Sequence, residues 1–146
     1  MNSFNHYAYG SVMEWVFRYG VGIGRDEENP GYKHIILQPT IGGSFSYMKG
    51  RYDSIYGMIE SGWTVGEGGA FTYNASVPAN TTATLYLPQP AYGSVILESG
   101  NPAESAEGVT DMGIQDGKAV FELSSGDYSF SLSLTKLTTV RLLTEP

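Results

Sequence analysis

A helical pattern opens this chain and does not return. On a helical wheel Val12, Trp15, Val16, Tyr19 and Ile23 form one apolar stripe at spacings of three and four, and Tyr9, Met13 and Phe17 form a second beside it. Only Ser11, Glu14 and Arg18 are left for water. A helix apolar on most of its circumference belongs inside a helical array, so the pattern predicts that partners of at least one stripe lie in a larger protein. Glu14 and Arg18, four apart, have the spacing of a surface ion pair rather than of acid–base chemistry. In the chain by itself the free stripe is expected to be buried against a second copy, giving a homodimer through the N-terminal helix.

After Gly20, Gly22 and Gly24 end the helix, Arg25-Asp26-Glu27-Glu28-Asn29-Pro30-Gly31 is a charged turn and the expected boundary. Residues 1–28 are read as a remnant helix, 29–135 as one β domain, and 136–146 as a tail or edge strand. Alternation then replaces the helical period. Strands are expected over 32–38, from Phe45 to Tyr52 with a turn at Asp53-Ser54, and over 55–65 with Ile55, Ile59, Ser61, Trp63 and Val65 inward. Phe71, Tyr73, Ala75 and Val77 alternate with polar residues, as do Ala83, Leu85 and Leu87, and these two runs are expected to pair as a hairpin. A short strand follows at 95–100, then a loop from Asn101 to Gly113. Ala119, Phe121 and Leu123 precede Tyr128, Phe130, Leu132 and Leu134 on two further strands. The fold class is therefore mainly β: an antiparallel β-sandwich of about eight strands preceded by one N-terminal α-helix. Removal of residues 1–24 is expected to cost far less stability than Phe121→Ala or Phe130→Ala.

Composition narrows the partners. With 146 residues the chain is the size of one domain. It carries only 8 Lys and Arg against 15 Asp and Glu, which argues against a phosphate-neutralising surface and so against nucleic acid. No run of ~18 apolar residues is present to span a bilayer, and Met1-Asn2-Ser3-Phe4 lacks the basic start of a signal peptide, although neither point fixes the compartment. There is no cysteine, and His6 and His34 are too far apart in sequence to suggest a metal site, so neither metal nor cofactor is expected. His34, within a strand, reads as structural. Asp53 and Glu60 read as turn and solvent-face residues. Trp63, Tyr73, Phe121, Tyr128 and Phe130 fall on inward faces, whereas Tyr47, Tyr56, Tyr86 and Tyr92 are the candidates for an exposed sugar-stacking platform.

Four segments in order carry a resemblance. Asn5-His6-Tyr7-Ala8-Tyr9-Gly10-Ser11-Val12 with Glu14-Trp15, then residues 30–39 (Pro-Gly-Tyr-Lys-His-Ile-Ile-Leu-Gln-Pro), then residues 52–59, and then Val77-Pro78-Ala79-Asn80 running on to Pro88 together resemble the C-terminal end of bacterial α-L-rhamnosidases of glycoside hydrolase family 78. That resemblance implies an (α/α)6 catalytic barrel followed by a β-sandwich, with this chain holding the last barrel helix and the sandwich. It implies a parent that hydrolyses terminal α-L-rhamnosyl groups with inversion, using two carboxyl groups from segments upstream of residue 5. On this reading the chain itself is not an enzyme, and its partners are the catalytic barrel and, through the parent, a rhamnosylated glycan. His6 resembles the family's histidine near the sugar, and Asn5 adjoins it. The parent fits a periplasmic or secreted enzyme. The alternative is an independent carbohydrate-binding module for rhamnose-containing glycans.

Overall fold

The computed structural model describes residues 16–26, 28, 30–41, 45–88, 90 and 94–133. His6, Asn5, Tyr92, the first part of the expected helix and the tail after Ser133 lie outside them. Val16–Val21 form a single π-helical turn. Ile23, assigned by its spacing to a helical stripe, instead begins a strand.

Eleven strands among the described residues make two sheets, where about eight were expected. One sheet has the order β1 (Ile23–Arg25), β2 (His34–Leu37), β6 (Thr82–Pro88), β10 (Lys118–Leu123) and β9 (Val109–Gln115). The other runs β3 (Tyr47–Ser54), β4 (Gly57–Val65), β5 (Ala70–Val77), β11 (Gly126–Ser133), β7 (Leu97–Glu98) and β8 (Asn101–Pro102). All neighbours are antiparallel except β2 and β6, which run parallel in the register His34 to Thr82 and Leu37 to Leu85. The inward sets interdigitate as a sandwich core. Ile35, Leu37, Leu85, Leu87, Phe121 and Leu123 come from one sheet, and Ile59, Trp63, Phe71, Tyr73 and Phe130 from the other. The Phe121 and Phe130 rings meet across the layers at 5.5 Å.

Four expectations need correction. β5 and β6 do not form a hairpin: Thr81 N–H and Oγ1 both bond Pro78 O, and this corner carries the chain from one sheet to the other. Alternation fixes which side of a strand faces inward but not which strand lies beside it. The 101–113 stretch is not a loop throughout, since it contains β8 and most of β9. β9 is an edge strand with only Val109 buried, so it shows no inward alternation. The strand expected over 95–100 shrinks to two residues, because Ser99 and Gly100 both take positive φ and form the tight turn into β8. The β3–β4 turn sits at Ile55-Tyr56, not Asp53-Ser54. It is held by Ser54 Oγ, which accepts from Tyr56 N–H and donates to Gly57 O. Ile55 is accordingly 84% exposed rather than inward.

Candidate functional site

The most elaborate polar arrangement among the described residues surrounds the end of the helical segment. The last carbonyls of any helix have no partner within it and need donors from elsewhere. Here four consecutive carbonyls find them in the sandwich. Tyr19 O accepts from Thr40 N–H at 2.8 Å and Gly22 O from Gln38 N–H at 2.8 Å. Gly20 O accepts from the Trp63 indole N–H at 2.9 Å, and Val21 O from Ser61 Oγ at 2.8 Å. Ser61 Oγ also lies 2.6 Å from Tyr73 Oη. Because the serine proton is directed to Val21, the phenol donates to the serine, and the chain runs Tyr73 O–H to Ser61 O–H to Val21 O.

Two strands build this seat. β4 alternates so that Ile59, Ser61 and Trp63 all point inward, and cross-strand pairing sets Ser61 beside Ala75 and Trp63 beside Tyr73. A small residue at 61 leaves room for the backbone of the helical turn to approach. Glycines make the matching contacts on the other side. A Cβ on Gly20 would sit 2.1 Å from the Met48 sulfur, and one on Gly22, whose φ is +84°, would sit 2.3 Å from Pro39 N. Burial pushes the Tyr73 phenol far above its usual range, with the Ser61 hydrogen bond opposing this in part. The seat is therefore neutral and buried. It has no nucleophile or base placed for chemistry, and what it does is grip a backbone terminus.

His34 occupies a second polar chain on the outward side of the other sheet. Its Nδ1 lies 2.6 Å from Thr82 Oγ1 and its Nε2 lies 2.7 Å from Thr84 Oγ1. Thr84 in turn donates to Glu122 Oε2, so Thr84 can only accept from the histidine, which places a proton on Nε2. Register pairing of β2, β6 and β10 brings these side chains together, as expected of a structural histidine.

The other candidates separate. Asp53 and Glu60 are exposed on β3 and β4. Tyr47 is exposed on the edge strand, Tyr56 sits in the β3–β4 turn beneath the Lys33 amine at 5.3 Å, and Tyr86 belongs to the opposite sheet. These three make no common stacking platform. Among the described residues no group of three His, Asp or Glu side chains is placed to hold a metal, and no helix is long and apolar enough to cross a membrane. Sequence reasoning assigned Trp63 and Tyr73 to the core but missed their polar ends. The signal was Ser61, a lone hydroxyl at the centre of an inward apolar set.

Comparison with known proteins bears on this seat. Residues 22–100 match the family described as bacterial alpha-L-rhamnosidase C-terminal domain. An alpha-L-rhamnosidase of Streptomyces avermitilis is 35% identical over 132 residues, covering 90% of this chain and 12% of that protein. One from Alteromonas sp. is 33% identical over 96 residues, covering 66% of this chain and 10% of its own length. Among solved structures, alpha-L-rhamnosidase from Dictyoglumus thermophilum superposes with a TM-score of 0.74 at 29% identity, over 86% of this chain and 14% of that one. The S. avermitilis enzyme complexed with L-rhamnose gives 0.74 at 32% identity, over 89% of this chain and 12% of that one. The chain thus spans about one-eighth of the length of these relatives.

Proposed function

This chain belongs to the bacterial alpha-L-rhamnosidase C-terminal domain family, and from that premise we propose that it is the non-catalytic cap of an α-L-rhamnosidase, clamping the last helix of the parent's catalytic barrel. The observation that carries this reading is the satisfaction of all four carbonyls from Tyr19 to Gly22 by groups of the sandwich. A linker needs no such fit. A helix whose remaining length packs in a barrel gains a fixed end from it, and the barrel gains a wall that cannot fray.

The parent would cleave a terminal α-L-rhamnosyl bond with inversion, which needs two carboxyl groups about 6.5–9.5 Å apart across the sugar. We assign both to the barrel and neither to this chain. His6 and Asn5 are proposed to reach the sugar from the start of the last barrel helix, while Val21 at its other end is held by Ser61. The domain boundary in the parent then coincides with the helix.

Two measurements test this. The purified chain is expected not to hydrolyse an aryl α-L-rhamnoside; turnover that survives repurification and disappears when one of its own carboxylates is substituted overturns the reading. In the full-length parent, Ser61→Ala and Trp63→Phe are expected to lower the temperature of inactivation while leaving kcat/KM unchanged at low temperature. An unmoved inactivation temperature would refute the clamp.

A further inference from the structure

The outward face of the six-stranded sheet has a composition that the clamp does not use. Cross-strand register lays out two adjacent rows on it. Arg51, Glu60, Ser76 and Asp127 stand opposite one another in the first, and Lys49, Gly62, Asn74 and Ser129 in the second. Together with Ser99 they line a trough of about 780 Å3. That is within the ~300–1,000 Å3 of small-molecule sites, and the four strands span roughly 14 Å at ~4.8 Å per spacing.

The trough is shaped as well as polar. Gly62 forms its floor, and a Cβ there would come within 2.7 Å of Lys49 Cβ, so any side chain at this position would fill the depression. Asp127 is oriented by a 2.7 Å bond from Ser76 Oγ. At the far wall Glu98 Oε2 accepts from Ser129 N–H and from Ser99 Oγ. Arg51 and Glu60 face each other across the strands without a hydrogen bond between them, and Lys49 and Asn74 have no side-chain bond among the described residues. Their donors and acceptors are directed to solvent.

We infer that this trough binds an uncharged, polyhydroxylated ligand, an oligosaccharide of two or three rings, by hydrogen bonding rather than by aromatic stacking. Charge decides the class. Lys49 and Arg51 stand against Glu60 and Asp127 within the trough, and the third carboxylate, Glu98 at its wall, is engaged by Ser129 N–H and Ser99 Oγ, so neither sign dominates although the chain as a whole carries −7. A phosphate, sulfate or uronate would meet Glu60 and Asp127, and an ammonium ligand would meet Lys49 and Arg51. A sugar ring offers neighbouring hydroxyls that donate to carboxylates and accept from guanidinium, ammonium and amide groups at once. A peptide would need an unpaired strand edge or an apolar anchor pocket; the trough's floor lies on β4, β5 and β11, each paired on both sides, and the edge strand β3 contributes only its Lys49–Arg51 rim. The one aromatic residue in the lining, Tyr128, is 7% exposed and packs against Phe130. Each new bond exchanges with water, so affinity in the millimolar range is expected. The inference does not rest on the clamp.

The test is an amide-resolved NMR titration of the full chain with cellotriose, xylotriose, mannotriose and a rhamnose-containing disaccharide, with trigalacturonate and sodium sulfate as anionic arms. At least one neutral sugar is expected to give saturable shifts centred on Gly62, Asn74, Asp127 and Ser129. Asn74→Ala and Asp127→Asn, both at exposed positions, are expected to weaken binding about tenfold each, with unchanged melting temperature. No saturable shift with any neutral sugar, shifts with the anionic arms alone, or binding indifferent to both variants overturns it.

Discussion

Ser61→Ala is the smallest change that tests the seat. It removes one oxygen from a residue that is 1% exposed and creates almost no cavity, so its cost is the cost of two stranded partners. Val21 O loses its donor and Tyr73 Oη loses its acceptor. A buried polar group left without a partner costs about 1–3 kcal/mol, so with two stranded the substitution is expected to cost about 2–6 kcal/mol of a total stability of ~5–15 kcal/mol. Tyr73→Phe leaves the Ser61 bond to Val21 in place and should cost only about 0.5–1.5 kcal/mol. The double variant is the discriminating case. With Ser61 gone, replacing Tyr73 by Phe removes the stranded hydroxyl, so the pair should be no less stable than Ser61→Ala alone. Urea denaturation read by tryptophan fluorescence measures all three. With a slope of ~2 kcal/mol/M, Ser61→Ala should move the midpoint by about 1–3 M at constant slope. Costs for the two single changes that simply add in the double variant would refute the hydrogen-bonded chain.

How much of this was readable from the sequence follows from what each signal encodes. Inward faces were legible because the alternation of Phe71, Tyr73, Ala75 and Val77, and of Phe121 and Leu123, directly records burial. Neighbour relations were not, since β6 carries the same alternation whether it lies beside β5 or across the core from it. The parallel pairing of β2 with β6 has no local signature at all. β9 was missed although Asp116-Gly117, both at positive φ, makes a two-residue hairpin turn of the kind that Asp-Gly favours. Its Gly113, at φ +85°, sits by a register shift against β10, and that irregularity with outward exposure hides the strand.

The seat was hidden for a different reason. Ser61 lies in an inward row between Ile59 and Trp63, and a small residue in such a row reads as a packing choice. Its role depends on Val21, 40 residues away, whose carbonyl direction no side-chain pattern records. Glycine spacing offered a partial hint. Gly20 and Gly22 read as helix terminators, and they also permit the approach to Met48 and Pro39. Family membership was legible from motifs of which two fall on such junctions: residues 30–39 contain β2 and the Gln38 donor, and residues 52–59 the β3–β4 turn.

The remaining expectations concern the core, pH and the chain's start. Phe121→Ala, which opens the contact with Phe130 between the sheets, is expected to cost about 3–5 kcal/mol by thermal or urea denaturation. Tyr73 has a folded-state pKa raised above its ordinary 10.0, so the unfolded chain releases that proton first; the stability it contributes is complete below pH 10 and is lost as pH rises beyond it. Stability measured from pH 9 upward should therefore fall less steeply in Tyr73→Phe, by up to ~1.4 kcal/mol per pH unit, and parallel curves would refute the assignment. A chain beginning at Asn29 removes β1, whose Ile23 pairs with Leu37, together with the buried Val21. Those two side chains bring about 1.5–3 kcal/mol each. Their loss also strands the Trp63 indole N–H and the Ser61 hydroxyl. The sandwich expected to tolerate loss of its first residues is thus expected to suffer more from that truncation than from Phe121→Ala. Circular dichroism melts of the two proteins decide it, because a truncated chain more stable than the Phe121→Ala protein would mean that the helical end rests on the sandwich without being part of its core.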